Sequence, residues 1–204
     1  MSKTTHPNIG VLAIQGDYEA HAAALEESGA QASLVKTLEA LKDLDGLIMP
    51  GGESTTMLKF LAPSDDRANF FDALQLFAQR KPIFGTCAGA ILLAKEVRNP
   101  AQRSLGVLDI AVERNAYGAQ RDSAILELET TLPEWQELGP LETVFIRAPR
   151  IVYTGPEVEI LAQRDGFPVL IRQGAIMAAT FHPELSTDRR VHRLFVDGVN
   201  SVKK

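Results

Sequence analysis

The chain has 204 residues, of which 45% are hydrophobic and 23% are charged. That length and composition predict one domain over residues 1–204 with a sizeable core. The 21 Lys and Arg against 26 Asp and Glu leave a formal net charge of -5, which argues against nucleic acid or an anionic membrane as partner. No apolar run approaches the roughly 18 residues that span a bilayer, and residues 1–8 lack the apolar stretch of a signal peptide; we therefore expect a cytoplasmic protein.

The first half of the chain alternates apolar runs with helical patterns, as βαβ units do. Strands are predicted at residues 9–14, 32–35, 46–49 and 82–85. One helix ends at Gly29, and a second begins at the N-cap Ser64, which is followed by Asp65 and Asp66. Their apolar faces are formed by Tyr18, Ala22 and Leu25 in the first helix, and by Phe70, Phe71, Leu74, Phe77 and Ala78 in the second.

After Lys95 the chain is rich in β-type runs, at residues 105–112, 123–129, 143–146, 158–163, 168–172 and 175–181. Asp165-Gly166 and Gln173-Gly174 separate the last three runs and are typical of hairpin turns. From about Thr187 a helix is predicted, with Val191, Leu194 and Phe195 facing the core. We therefore predict an α/β fold: a doubly wound, mostly parallel sheet flanked by helices, with antiparallel additions in the C-terminal half. Such sheets bind ligands beyond the carboxyl ends of their strands.

The single cysteine lies in Gly85-Thr86-Cys87-Ala88-Gly89, between a predicted strand and a helical run at residues 90–95. This is the spacing of a nucleophile elbow, in which glycines permit the tight turn and the helix N-terminus stabilises a thiolate. The backbone N–H of Ala88 would then help to hold an oxyanion. A lone cysteine is more often a small buried hydrophobic residue, but the two glycines and the strand-to-helix position favour a nucleophile.

His182-Pro183-Glu184 offers a base and an orienting carboxylate at the end of the run 175–181. In an extended stretch, residues two apart face the same side, about 6.6 Å apart at Cα. Glu184 is then close enough to accept a hydrogen bond from the His182 ring. The alternative is a strand-end histidine beside a solvated glutamate.

The remaining histidines fit the role of a base less well, because His6 lies near the N-terminus, His21 on a helix face and His192 on the last helix. One cysteine and four scattered histidines provide neither a disulfide nor clustered zinc ligands. The chain also lacks a G-x-G-x-x-G dinucleotide fingerprint. We therefore expect no metal and no cofactor.

A glycine-rich turn, PGGESTT at residues 50–56, follows the third predicted strand. Its backbone N–H groups could serve a phosphate or an oxyanion. The turn lacks the P-loop pattern, and Glu53 within it disfavours a phosphate. An oxyanion hole is the better interpretation, with an ordinary helix-start turn as the alternative.

Arginine occurs in two further polar segments, VERNAYG at residues 112–118 and FIRAP at residues 145–149. A guanidinium at a strand end suits bidentate capture of a carboxylate, which makes Arg114 and Arg147 candidates. From the residues alone, a structural role is the more usual one.

Together these motifs resemble those of class I, triad-type glutamine amidotransferases. Six stretches are similar to the glutaminase subunits of pyridoxal 5'-phosphate synthases: GVLAIQGD at 10–17, PGGESTT at 50–56, GTCAG at 85–89, VERNAYG at 112–118, FIRAPRI at 145–151 and TFHPEL at 180–185. The similarity therefore covers nearly the whole chain. One departure is Ala119, before Gln120, where the family pattern has Arg.

The resemblance implies that Cys87 is the nucleophile, that His182 acts as base and then acid, and that Glu184 orients His182. It assigns the glutamine site to Gly52, Glu53, Ser54, Arg114, Ile146 and Arg147, and the oxyanion hole to Gly52 and Ala88. The implied reaction hydrolyses L-glutamine to glutamate and ammonia. The ammonia would pass to a barrel-shaped synthase subunit in a large hetero-oligomer.

Three other functions stay open. A glutaminase that serves a different synthase would differ only in its partner. A cysteine esterase of the α/β-hydrolase type would normally place its acid well before the histidine, and a binding module would not need the three catalytic residues. Partner control is a further expectation, since the Gly51-Gly52 peptide can rotate at little cost and a docked synthase could select the orientation that offers an N–H to the oxyanion.

Overall fold

The computed structural model describes residues 6–62, 70–114 and 123–203. The strands in these ranges are β1 (Asn8–Leu12), β2 (Gln31–Val35), β3 (Gly46–Met49), β4 (Ile83–Thr86), β5 (Ala94–Arg98), β6 (Leu108–Glu113), β7 (Ala124–Leu128), β8 (Leu141–Phe145), β9 (Arg150–Thr154), β10 (Glu159–Arg164), β11 (Phe167–Gln173) and β12 (Ile176–Ala179). The helices are α1 (Tyr18–Glu27), α2 (Ser54–Leu61), α3 (Phe70–Ala78), α4 (Ala88–Leu93), α5 (Pro133–Gln136) and α6 (Arg190–Val202). Short 3-10 turns occur at Glu39–Leu41 and Pro183–Leu185.

A seven-stranded sheet forms the centre of the fold, in the order β10-β11-β12-β4-β3-β1-β2. The strands from β12 to β2 all pair in parallel. Every residue of β3 and β4 is buried, as expected for parallel strands whose two faces are both covered. The predicted α/β fold with a mostly parallel sheet is confirmed.

Helices cover the two faces of this sheet and divide the core into two clusters. One cluster packs side chains of α2, α3 and α4, including Met57, Phe71 and Leu93. The other packs α1 and α6 through residues such as Leu25 and Phe195. The apolar face predicted for α3 is confirmed, because Phe71, Leu74, Phe77 and Ala78 are buried; its predicted start at Ser64 lies outside the described residues.

The β-rich second half differs from the prediction in its connections. Among the described strands, only β10 and β11 extend the central sheet in antiparallel fashion. β5, β6 and β9 form a separate three-stranded sheet, and β7 pairs with β8 alone. Burial along β7 alternates between exposed and half-buried residues, which suits a hairpin with one face in water rather than a strand within the central sheet. Neither β9 nor α5 was predicted.

Two local boundaries also differ. The helix after Cys87 was predicted at residues 90–95, but it ends at Leu93, and Ala94 begins β5 by pairing with Leu108. The turn at Asp165-Gly166 is confirmed as a two-residue hairpin loop with positive φ at both residues. The next loop is shifted by one residue, because Gln173 still pairs with Ile176 and leaves Gly174 and Ala175 to turn.

None of the described helices has the length and apolar character needed to cross a membrane.

Candidate active site

Three neighbouring parallel strands end at one cavity of about 460 Å³. Gly51 follows β3, Cys87 follows β4, and His182 follows β12. Because β12, β4 and β3 are adjacent in the sheet, their carboxyl ends bring these segments together. The predicted position of the site, beyond the carboxyl ends of the strands, agrees with this geometry.

Cys87 occupies a sharp turn between β4 and α4, with φ 48° and ψ -104°. Such a left-handed conformation in a non-glycine residue costs about 1–3 kcal/mol. The turn is held by hydrogen bonds in which Cys87 N–H donates to the Ala179 carbonyl, at 2.8 Å, and Ile91 N–H donates to the Cys87 carbonyl, at 3.2 Å. The sharp turn leaves the thiol at the cavity although the residue is only 7% exposed.

The two glycines that flank the cysteine are required by close packing. A Cβ on Gly85 would lie 2.6 Å from the carbonyl carbon of Gly89. A Cβ on Gly89 would lie 2.0 Å from the carbonyl oxygen of Met49, the last residue of β3. The glycines therefore allow the elbow to pack directly against the neighbouring strand.

His182 contacts Glu184, with 2.7 Å between Nδ1 and Oε1. The predicted contact is present, but the predicted extended backbone is wrong. Pro183 begins a 3-10 turn, for which His182 is the N-cap, and proline suits the first position of such a turn because its missing N–H has no partner there. The turn, rather than strand alternation, brings the carboxylate to the ring.

The charges of these side chains are coupled. Burial would lower the pKa of His182, but hydrogen bonds with Cys87 and Glu184 outweigh burial and raise the pKa to about 10. Burial would raise the pKa of Glu184, but the neighbouring His21 and His182 hold that pKa well below its usual value. At neutral pH a protonated His182 therefore lies between Cys87 and an ionised Glu184.

The glycine-rich turn positions Glu53 at the start of α2. The carboxylate of Glu53 accepts hydrogen bonds from Thr55 N–H at 3.2 Å and Thr56 N–H at 2.7 Å. Burial would raise the pKa of Glu53, but the hydrogen bonds from Thr56 and Thr55 outweigh it and lower the pKa to about 2. Arg114 Nη2 lies 3.0 Å from the same carboxylate and donates to Thr55 Oγ1 at 2.9 Å.

Most of the residues that the sequence assigned to the site line the cavity. They are Gly52, Glu53, Ser54, Cys87, Arg114, Ile146, Arg147 and His182. Glu184 lies behind His182, and Ala88 begins α4 next to the cysteine. Arg147 is exposed, has φ 46°, and has no ion-pair partner among the described residues. The departure at Ala119 falls outside the described residues.

Gln15 is a cavity residue that the sequence analysis missed. It follows β1, whose carboxyl end lies at the same edge of the sheet. Its Oε1 accepts a hydrogen bond from Glu53 N–H at 3.0 Å. The rule that located the other loops could have found it, since Gln15 is a polar residue directly after a predicted strand.

His21 is the second residue that was missed. It was placed on a helix face without a carboxylate partner, yet it is fully buried and its Nε2 lies 3.2 Å from Glu184 Oε2. The signal was present, because position 21 shares the helical face of Tyr18 and Leu25, which was predicted to point into the core.

Comparisons with known proteins give one consistent result. The model of the SNO glutamine amidotransferase family matches residues 11–201. A pyridoxal 5'-phosphate synthase subunit PdxT from Koribacter versatilis is 55% identical over 193 residues, covering 95% of this chain and 96% of that protein. The subunit of the same name from Thermotoga maritima is 49% identical, covering 94% of this chain and 98% of that protein.

Solved structures agree with the sequence comparisons. A crystal structure of a glutamine amidotransferase has a TM-score of 0.83 at 44% identity, covering 94% of this chain and 98% of the other. A putative GMP synthase protein from Thermoplasma acidophilum has a TM-score of 0.71 at 17% identity, covering 97% and 96%, which shows the shared fold alone. With a family model that matches almost the whole chain and relatives at about half identity, the chain belongs to the SNO glutamine amidotransferase family.

Proposed function

We propose that this chain hydrolyses L-glutamine to glutamate and ammonia through Cys87, His182 and Glu184, and that the ammonia passes to a pyridoxal 5'-phosphate synthase subunit. The observation that carries the proposal is that Cys87 and His182 line one cavity beyond the sheet, with the His182 ring held by Glu184 at 2.7 Å. Membership of the family supports the reaction class, and the names of the relatives support the synthase.

The reaction takes place in two halves. The sulfur of Cys87 attacks the side-chain amide carbon of glutamine, and the amide oxygen becomes an oxyanion held by the backbone N–H groups of Gly52 and Ala88. His182 gives a proton to the amide nitrogen, the C–N bond breaks, and ammonia leaves a thioester on Cys87. Water then attacks the thioester while His182 takes its proton, and glutamate is released as the C–S bond breaks.

The other cavity residues suit the two charges of an amino acid. Arg147 is the better candidate for the α-carboxylate, because it lines the cavity without an ion-pair partner among the described residues. Arg114 is tied to Glu53 and Thr55, so its main task is to hold the ionised Glu53 at the cavity, where a carboxylate suits the α-ammonium group. Ser54 and Ile146 complete the glutamine site.

The proposed partner is a barrel-shaped synthase subunit in a large hetero-oligomer. Two apolar side chains at the cavity, Ile146 and Leu185, are 36% and 42% exposed, and exposed apolar residues beside a site suit a docking partner. Docking would also switch the enzyme on by selecting the Gly51-Gly52 orientation that offers an N–H to the oxyanion. A cytoplasmic location remains part of this proposal.

The test measures glutamate release by the purified chain alone and with a pyridoxal 5'-phosphate synthase barrel subunit. Loss of one oxyanion donor costs roughly a hundredfold to a thousandfold in rate, so we expect low turnover alone and a large increase with the partner, together with formation of pyridoxal 5'-phosphate. The synthetase subunit of a GMP synthase is the control partner. Maximal turnover without a partner contradicts the switch, and equal activation by the control partner contradicts the assigned synthase.

A further inference from the structure

Behind the candidate triad lies a buried row of polar side chains that the reaction described above does not use. His21 Nε2 lies 3.2 Å from Glu184 Oε2 and 3.1 Å from Thr86 Oγ1. His21 Nδ1 lies 3.0 Å from His192 Nε2. His21, Thr86 and His192 are 0% exposed, and Glu184 is 4% exposed, so water does not reach these groups.

The charge of Glu184 determines which atom faces it. An ionised carboxylate accepts but does not donate, so the nitrogen of His21 that faces Glu184 carries a hydrogen. The other nitrogen of His21, Nδ1, faces His192 Nε2 at 3.0 Å. Glu184 Oε2 and His192 Nδ1 are both buried without a hydrogen-bond partner among the described residues.

His192 is a neutral ring, because burial lowers its pKa to about 3. A neutral imidazole has one N–H and one bare nitrogen, so Nε2 offers His21 either a donor or an acceptor.

We propose that His21 is a positioning residue for glutamine hydrolysis: the buried contact of its Nε2 with Glu184 Oε2, an oxygen without another hydrogen-bond partner among the described residues, fixes the carboxylate that orients His182, and His192 holds the His21 ring at Nδ1. The inference rests on the proposed triad. It adds a requirement on α1 and α6, because His21 belongs to α1 and His192 to α6. The two helices thus position Oε2 of Glu184, while Oε1 of the same carboxylate contacts His182.

Amide side chains that replace one nitrogen of the His21 ring at a time can distinguish a positioning role of His21 from a role in packing. A glutamine amide reaches about as far as Nε2 and so keeps a donor toward Glu184. An asparagine amide reaches only about as far as Nδ1 and so faces His192. We therefore compare His21→Gln, His21→Asn and His21→Leu in the full chain with its synthase partner, by kcat and KM for glutamine.

We expect His21→Leu and His21→Asn to lower kcat by roughly tenfold, the size of one hydrogen bond to a charged group, with KM unchanged within about twofold. His21→Gln should recover most of kcat. Equal kcat in the Gln and Asn variants overturns the proposal, and this comparison remains available if the Leu variant does not fold. Phe195→Leu is the packing control, because it perturbs the same core on α6 without removing a polar atom; it should lower Tm and leave kcat unchanged.

A double-mutant cycle tests whether His21 acts through Glu184. In a Glu184→Gln background, His21→Leu should lower kcat by less than about threefold, because the carboxylate that His21 holds is already gone. Losses that multiply would show a separate structural role and overturn the proposal. Wild-type turnover in the Cys87→Ala variant would instead contradict the triad itself. Failure of the His21 proposal and failure of the proposed function are therefore distinguishable.

Discussion

Gly51 lies directly against the imidazole of His182: a Cβ added to Gly51 would come within 2.5 Å of Cε1 and 3.2 Å of Nδ1. The same Cβ would lie 3.4 Å from Cys87 Cβ. The glycine-rich turn is therefore one wall of the candidate triad, and its first glycine is required by space.

Gly51→Ala should lower kcat/KM by at least about tenfold, because a methyl group at this position pushes the ring away from Glu184, and misplacements of this kind cost up to about a hundredfold. Gly198→Ala is the matched control. Apart from its chain neighbours and the backbone of its own helix, no described atom lies within 4 Å of a Cβ at Gly198, and alanine in a helix stabilises by up to about 1 kcal/mol relative to glycine. Steady-state glutamate release measures the effect of both substitutions. Wild-type activity in Gly51→Ala would contradict the close approach of Gly51 to the His182 ring.

His182→Asn should nearly abolish glutamine hydrolysis, and Glu184→Gln should be milder. The base transfers protons in both half-reactions, whereas the carboxylate orients the base and stabilises its charge. The measurement is kcat with the synthase partner present, with folding checked by Tm. Small and equal losses in both variants would show that the base is another residue.

Arg147→Lys should raise KM for glutamine by roughly tenfold, a loss of about 1.4 kcal/mol, because lysine keeps the charge but loses the planar pair of donors. Arg114→Lys should also raise KM by loosening Glu53, which Arg114 holds at 3.0 Å. Glutamine titration of initial rates measures both. Unchanged KM in both variants would remove arginine from the glutamine site.

Stability should fall on mild acidification because of His192. Burial lowers the pKa of His192 to about 3 in the folded protein, while the unfolded chain takes up a proton near pH 6.5. Below about pH 6.5 the unfolded state therefore binds more protons, and the free energy of unfolding falls by up to about 1.4 kcal/mol per pH unit from this residue. His182, whose pKa is raised to about 10, opposes this trend near pH 6.5, where the unfolded chain is only half protonated at this residue, and its contribution fades as the pH falls further below 6.5.

Urea unfolding between pH 6.5 and pH 5.5 checks this prediction, since the window lies above the ordinary pKa of glutamate, 4.5. His192→Gln keeps a nitrogen near the position of Nε2 but does not titrate. The variant should therefore lose less stability over this window than the wild type. An identical slope in the two proteins would contradict the buried neutral ring.

The elements that the sequence predicted best were those with a local cause. Gly46–Met49 is an uninterrupted apolar run, and the structure begins and ends β3 at the same residues. The elbow at Cys87 followed from spacing alone. The contact of His182 with Glu184 was also predicted, although a 3-10 turn rather than an extended stretch makes it. Motifs in sequence are therefore enough to find the residues that are close along the chain or that end adjacent strands.

What the sequence did not predict depends on contacts between distant segments. His21 and Glu184 are brought together by packing of α1 against the 3-10 turn, and His192 arrives on α6. Periodicity predicted which faces of the two helices turn toward the core, but it does not tell which buried faces meet. The division of the β-rich half into three sheets has the same origin, because pairing partners such as β6 and β9 are far apart in the chain.

The central claim is that Cys87 forms a covalent intermediate with glutamine. It is tested most directly by intact-mass and peptide mass spectrometry after treatment with a glutamine analogue that carries an electrophilic diazoketone in place of the amide. The account predicts one adduct per chain, on Cys87, with labelling prevented by excess glutamine and absent in a folded Cys87→Ala variant. An enzyme that hydrolyses glutamine but gains no adduct on Cys87, or a Cys87→Ala variant with wild-type turnover, would contradict it.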